Sequence, residues 1–477
     1  MHSTGGACRF RIIEETMATE DMSPEEFRQY GHQVIDWVAD YLRDTHQYPV
    51  LSKVQPGDLI DQLPPAGPET GESMDAILTD FAQLIVPGIT HWNHPRFFAY
   101  FSSSASGPGI LAELLCAALN ANGLLWRSSP AVAELEQVTL GWLRQWLGLP
   151  EQFFGIIYDT ASISTMHAIA AARQKADATI RLRGGGNGLV VYTSAQAHSS
   201  VEKSAITLGI GQQNVRKIPV DAAFRMDPAA LRAAIEADLA AGLRPFCVVA
   251  SVGTTSTSSV DPVPAIAGIA EEHGLWLHVD AAYGGPAAIV PEQRHVFDGV
   301  QRAHSVVVNP HKWLFTPIDV SVLYTREPEA LRAAFSLVAE YLKTPEDARV
   351  INYPDYGIQL GRRFRALKLW FVFRYFGREG VIAILRNHIA WAQKLAGMMQ
   401  AHPDFEVAAP TPFSLICFRR CGSDEVNRKL LEDINRSGKA FFSHTVLHGR
   451  FVLRLAIGNV RTTWNDLEET WDLIRSL

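Results

Sequence analysis

The stretch LWLHVDAAY, residues 275–283, is an apolar run that starts after Gly274 and ends in a carboxylate and a small turn. A run of this length, bounded by glycine and a turn, reads as a strand buried on both faces of a parallel sheet. Thirty residues on, SVVVNPHKW (305–313) repeats the design: a short β-branched run, then a polar turn carrying a lysine.

Working outward, four more runs share this form: Phe154–Tyr158, Leu189–Thr193, Phe246–Ser251 and Val320–Tyr324. Helical windows lie between them at Ser162–Lys175, Pro228–Ala241 and Pro262–His273. Alternating strands and helices predict an α/β domain with a mostly parallel central sheet covered by helices on both faces. On the N-terminal side, Ser23-Pro24-Glu25-Glu26 is a helix start with a capping box, followed by Phe27, Tyr30, Val34, Val38, Tyr41 and Leu42 at helical spacing. The Pro/Gly-rich stretch Leu63–Gly71 reads as an extended connection, and Ser73–Val86 as a second helix. Beyond Gly361 the chain is helical over Phe364–Tyr375 and Val381–His402 and then alternates weakly to Leu477, which predicts a small C-terminal α+β domain.

Composition narrows the function. Of 477 residues, 47% are hydrophobic and 19% charged, enough for a large core and against wholesale disorder. A formal net charge of −7 argues against binding that rests on nucleic-acid phosphates or a polybasic membrane surface. The cysteines Cys8, Cys116, Cys247, Cys417 and Cys421 form no CxxC, and read as reduced thiols in a cytoplasmic protein. No run is long enough for a membrane span, and Met1–Glu15 lacks a secretory h-region; residues 1–21 read as a tail, with Met17 and Met22 as alternative starts. Gly184-Gly185-Gly186-Asn187-Gly188 precedes a strand and lacks the context of a dinucleotide fingerprint.

Ligands of open α/β sheets bind at the carboxyl ends of the strands. There the sequence places Asp159-Thr160-Ala161-Ser162, Ala197-His198, Gly253-Thr254-Thr255, Asp280-Ala281-Ala282 and Asn309-Pro310-His311-Lys312. Singly, each has a plain reading: Thr160 and Ser162 as helix caps, His198 as a structural histidine, Asp280 as a paired carboxylate, Lys312 as a solvated cation. The aromatics of 91–101 read equally as core or as substrate wall. Jointly, the strand ends match what pyridoxal phosphate requires. Lys312 offers an amine for a Schiff base, Asp280 a carboxylate for the pyridine nitrogen, Thr160 and Ser162 a helix start for the phosphate, and His198 a flat group for the ring.

HWNHPRFFAYF (91–101), AHSSVEKS (197–204), GTTSTSSVD (253–261), HVDAAY (278–283), NPHKW (309–313) and LGRRFRALKLWFVFRYFG (360–377) together resemble the aromatic-L-amino-acid decarboxylases, group II pyridoxal-phosphate enzymes of the fold type I transferases. The resemblance runs in order from about Met22 to Leu477. It implies α-decarboxylation of an L-amino acid, an aromatic one, to the amine and CO2, in a homodimer with shared active sites. It implies a helical dimerisation segment over 22–106, a cofactor domain over 107–367 and a small domain over 368–477. Lys312, His198, Tyr341 and Asp280 would be catalytic, with Tyr341 on a mobile loop protonating Cα. Thr160, Ala161, Ser162, His198, Thr255, Asp261, Asp280, Ala282, His311 and Lys312 would surround the cofactor. Trp92, Tyr100, Phe101, Ser103, Asn122, Leu124 and Gly361 would form the substrate pocket, with Asn122 and Leu124 supplied by the partner subunit.

The sequence departs from the family at Asp159, where the phosphate loop usually has glycine, and at Asn122 and Leu124, where larger apolar residues are usual. Gly361 resembles the indole-accepting plant members. Two other readings stand beside the main one. A decarboxylase of a non-aromatic amino acid fits the altered pocket. An aldehyde synthase of the same fold is disfavoured because such relatives change the loop tyrosine or the ring-stacking histidine, and Tyr341 and His198 are both retained. An aminotransferase is disfavoured because no arginine clamp for a second carboxylate is evident.

Overall fold

The computed structural model describes residues 21–186, 188–337 and 340–477, with the side chain of Tyr341 also outside the described set. The tail expected over 1–21 therefore lies almost wholly outside the described residues, as does Asn187 of the glycine-rich loop. The chain divides into two compact units, residues 1–91 and 92–477.

In the first unit, the helix Pro24–Asp44 starts as its capping box predicts: Ser23 Oγ accepts the Glu26 N–H, and the Glu26 carboxylate accepts the Ser23 N–H. No residue of this helix is fully buried; Trp37 stacks on Tyr41. Ser73 caps a second helix, Met74–Asp80, which continues as a wider turn over Phe81–Ile85.

The second unit holds a seven-stranded sheet: β1 (Phe154–Tyr158), β2 (Leu189–Ser194), β3 (Val215–Ile218), β4 (Arg244–Ser251), β5 (Trp276–Asp280), β6 (Ser305–Val308) and β7 (Ser321–Thr325), in spatial order β1-β7-β6-β5-β4-β2-β3. Strands β2 to β6 pair in parallel; β7 runs antiparallel to both β6 and β1. All strands but β7 therefore point the same way, and their carboxyl ends share one edge. Twelve residues, Asn309–Val320, join β6 to β7, with one helical turn at Pro310–Trp313. Strands β2, β6 and β7 are buried at every residue, which is why they read as apolar runs and not as alternating ones. The short edge strand β3, VRKI, is an addition to the six strands legible in sequence.

A second, antiparallel sheet, β8 (Phe405–Val407), β9 (Leu415–Arg420), β10 (Ser443–Leu447) and β11 (Arg450–Ala456), has the order β10-β11-β9-β8. It packs with helices Asp424–Ser437 and Trp464–Ser476 around a core that includes Phe418, Leu453 and Trp471. The helical stretch Arg365–Ala401 leading into it is two helices meeting at a kink at Gly377, whose φ of 63° is not helical, in line with the two helices expected there. Among the described residues, no helix is long and apolar enough to cross a membrane.

Candidate active site

A cavity of about 360 Å³ opens at the carboxyl edge of the large sheet. Of the residues singled out in sequence, Trp92, Tyr100, Phe101, Ser103, Thr160, Ala161, Ser162, His198, Thr255, Asp280, Ala282, His311 and Lys312 line it.

Strand β1 delivers the helix Ala161–Ala176, whose first N–H groups have no intrahelical acceptor. The Thr160 hydroxyl does not cap this helix; it bonds Asp159 Oδ1 at 3.1 Å, as does the Thr160 N–H. Asp159 Oδ2 accepts from Gln359 Nε2 at 3.4 Å, and Asp159 is not among the lining residues. The carboxylate that departs from the family pattern is thus turned to protein donors.

After β2, His198 Nδ1 accepts the Ser200 N–H at 3.1 Å, which leaves the neutral ring's proton on Nε2. Burial holds its pKa below the usual histidine value, with Asp280 opposing. After β4, Gly253 has φ +95°, and a Cβ there would stand 2.9 Å from the Gly284 N; only glycine lets these two loops meet. At the end of β5, Asp280 Oδ1 accepts the Ala282 N–H at 3.1 Å. Lys312 follows β6 with its Nζ 5.5 Å over the Phe101 ring. Burial lowers the Lys312 pKa and nearby Asp280 raises it, the first effect being larger. A desolvated amine of this kind is closer to the neutral form a nucleophile needs.

His311 Nδ1 accepts the Val320 N–H at 3.0 Å, and burial pushes its pKa down to about 3. The neutral ring then carries its proton on Nε2, which stands 3.2 Å from the Asn309 amide. That proton calls for the amide oxygen as its acceptor, which leaves the amide NH2 free to serve a ligand. In the structure Nδ2 is the atom facing Nε2 and the buried Oδ1 has no protein partner, so turning the amide over pairs the oxygen with Nε2 and frees the NH2.

Asp261 stands behind this surface. Its two oxygens accept the Met226 and Ser251 N–H groups, each at 2.7 Å, so it secures the end of β4 and does not line the cavity. Asn122, Leu124 and Gly361 do not line it either. Asn122 and Gly361 meet elsewhere: Asn122 Oδ1 accepts the Arg362 N–H at 3.0 Å, and a Cβ on Gly361 would lie 3.6 Å from Asn122. Tyr341 lies in the turn Glu340–Leu342, and its side chain is outside the described residues.

Four lining residues were not singled out in sequence: Gly253, Tyr283, Asn309 and Arg454. The first three sit inside the quoted motifs. Arg454 comes from β11 of the small sheet; its only signal is a charge in the middle of a buried strand, RFVLRLA. Its donors are largely taken up by protein acceptors, among them Ser256 O at 3.0 Å and Thr255 O at 2.8 Å.

An amine, a carboxylate, a flat imidazole and a helix start converging under an aromatic wall define a pyridoxal-phosphate enzyme of fold type I. Residues 56–421 match the pyridoxal-dependent decarboxylase conserved domain, and the chain belongs to that family. It is 42% identical to phenylacetaldehyde synthase of Arabidopsis thaliana, over 95% of this chain and 96% of that one. It is also 42% identical to tyrosine decarboxylase 3 of Petroselinum crispum, over 98% and 94%. The crystal structure of Oryza sativa TDC with PLP and tryptamine superposes with a TM-score of 0.92 at 38% identity, covering 96% of this chain and 98% of that one. The family's cofactor is pyridoxal phosphate, and the residues present fit it: the unpartnered end of the Asn309 amide and the open start of the helix Ala161–Ala176 supply donors suited to an anion.

Proposed function

We propose that this chain catalyses α-decarboxylation of an aromatic L-amino acid to the amine and CO2. The observation that carries the reading is the meeting of Lys312, Asp280 and His198 with Trp92, Tyr100 and Phe101 around one cavity. Bound pyridoxal phosphate supplies an electron sink for the pair left when the carboxylate departs.

Lys312 would hold the cofactor through its amine, and Asp280 would face the pyridine nitrogen and favour its protonated form. Ala161, Ser162 and Asn309 bind the phosphate end, with Thr160, Thr255 and His311 around them. Ala282 and His198 enclose the ring, and Asp261 braces the end of β4. His198 would bind and orient the substrate carboxylate, and that orientation would select the bond that breaks. Tyr341 delivers a proton to Cα. Trp92, Tyr100, Phe101 and Ser103 receive the side chain.

The enzyme works as a homodimer in the cytoplasm. Support comes from the helix Gly107–Leu119, where Leu111, Leu114, Leu115 and Leu119 are all exposed, and from Phe27, Val34 and Ile35 exposed on Pro24–Asp44 within the segment 22–106. Asn122 and Leu124, absent from the cavity of their own chain, complete the partner's pocket.

A second reading, the aldehyde synthase, is favoured by the likeness to phenylacetaldehyde synthases. The retained Tyr341 and His198 weigh against it. Purified protein with pyridoxal phosphate and a panel of L-amino acids decides the matter: CO2 and amine from Trp, Tyr, Phe or dopa are expected. Preference for glutamate or aspartate would defeat the aromatic reading, and aldehyde with peroxide in place of amine would establish the second.

A further inference from the structure

Both backbone polar groups of Tyr100 end on the small C-terminal sheet. Its N–H donates to Ser443 Oγ at 3.1 Å, and its carbonyl accepts from Arg454 Nη2 at 3.5 Å. Arg454 Nη1 donates to the same Ser443 Oγ at 2.8 Å. Tyr100 has φ +53°, a left-handed backbone that a bulky aromatic residue holds only where its surroundings enforce it. In that turn Tyr100 and Phe101 both line the cavity.

The rest of the Arg454 guanidinium grips the opposite wall. Nη2 donates to Thr255 O at 2.8 Å and Nε to Ser256 O at 3.0 Å, while its centre sits 5.3 Å over the Phe101 ring. Phe101 also stacks on Tyr283 with centroids 3.7 Å apart. One planar fork thus joins the aromatic wall at 100–101 to the turn at 255–256.

We propose that Arg454, acting with Ser443, is a positioning residue that sets the gap between the Phe101 ring and the Thr255 turn, and so determines which aromatic side chain the enzyme prefers. The inference rests on the decarboxylase reading. It requires the fork and not merely the charge: a lysine ammonium is a point donor and does not hold three carbonyls and a hydroxyl in one plane.

The test compares R454K, R454Q and S443A with the wild type as pyridoxal-phosphate-loaded proteins. It measures the visible cofactor band, the thermal midpoint, and kcat and KM for L-tryptophan, L-tyrosine and L-phenylalanine. R454K is expected to keep the band yet lose roughly tenfold in kcat/KM for the best substrate, mainly through KM. The ratio between best and worst aromatic substrate shrinks toward one. S443A moves the ratio in the same direction by less, and carries the test if the Arg454 variants do not fold. Two results would overturn the inference: R454K equal to wild type, which with a weakened R454Q makes charge the requirement; or all substrates losing equally at an unchanged ratio. A wild type inactive on every aromatic amino acid would instead remove the decarboxylase reading, and the inference with it.

Discussion

Glu136 and Arg362, 226 residues apart in sequence, form an ion pair 2.7 Å long with both side chains almost wholly enclosed. Glu136 Oε1 also accepts the Ile157 N–H at 2.9 Å, and Arg362 donates to the Ile157 carbonyl at 2.7 Å. The pair thereby closes around β1, the strand that carries the Thr160–Ser162 turn. Its backbone N–H reaches Asn122, so the same residue anchors the cluster at Gly361.

Removing one partner leaves a buried charge uncompensated. E136Q or R362M is expected to lose about 3–5 kcal/mol of stability, more than a surface ion pair supplies. Denaturant unfolding of the pyridoxal-phosphate-loaded protein checks this; a loss below about 1 kcal/mol would show that the pair is not needed to hold β1.

Asp280 has a separate consequence. D280A removes the one carboxylate facing Lys312 in the cavity, and with it the group proposed to hold the pyridine nitrogen protonated. Amine production is expected to fall by about a hundredfold or more while the fold persists, since the residue sits at a strand end and not in the core. Unchanged turnover in D280A would reassign the carboxylate.

Tyr341 tests the protonation step. Y341F is expected to divert product from amine toward aldehyde, with ammonia and hydrogen peroxide released and oxygen consumed. Product analysis by mass spectrometry with an oxygen electrode reads this; amine as the sole product, at the wild-type rate, would remove Tyr341 from the mechanism.

Stability should fall as the medium is acidified. Burial lowers the pKa of His167, His278 and His304 to about 4 and of His311 and His388 to about 3. A histidine with a depressed folded pKa takes up its proton more readily when unfolded. Its contribution is present above about 6.5 and is lost as pH falls toward the folded value. Asp261, raised to about 6 by burial, acts the other way between about 4 and 6, but it is one group against five. Thermal midpoints measured from pH 7 to pH 4 should therefore decline; a flat or rising profile would contradict the neutral burial of these rings.

Much of this was legible in sequence because it is local. The helix cap at Ser23, the helix opening near Ser73, the apolar strands and the polar groups at their ends all follow from short windows, so Lys312, Asp280 and His198 were readable as one site. Strand β3 was not, since VRKI is a half-exposed edge without a buried run. The reversed direction of β7 was not, because side-chain periodicity carries no information on strand direction. Arg454 escaped because its role depends on β11 meeting Tyr100 and Thr255 across some 200 to 350 residues of chain. Periodicity and motif spacing do not report such contacts.

The central claim is that the chain holds pyridoxal phosphate through Lys312 and uses it to release CO2. The direct measurement is the visible absorption of K312A beside the wild type, each reconstituted with the cofactor and supplied with an aromatic L-amino acid. The account predicts that the wild type shows the band and forms amine, and that K312A shows neither. A K312A protein that keeps both the band and steady amine production would contradict it.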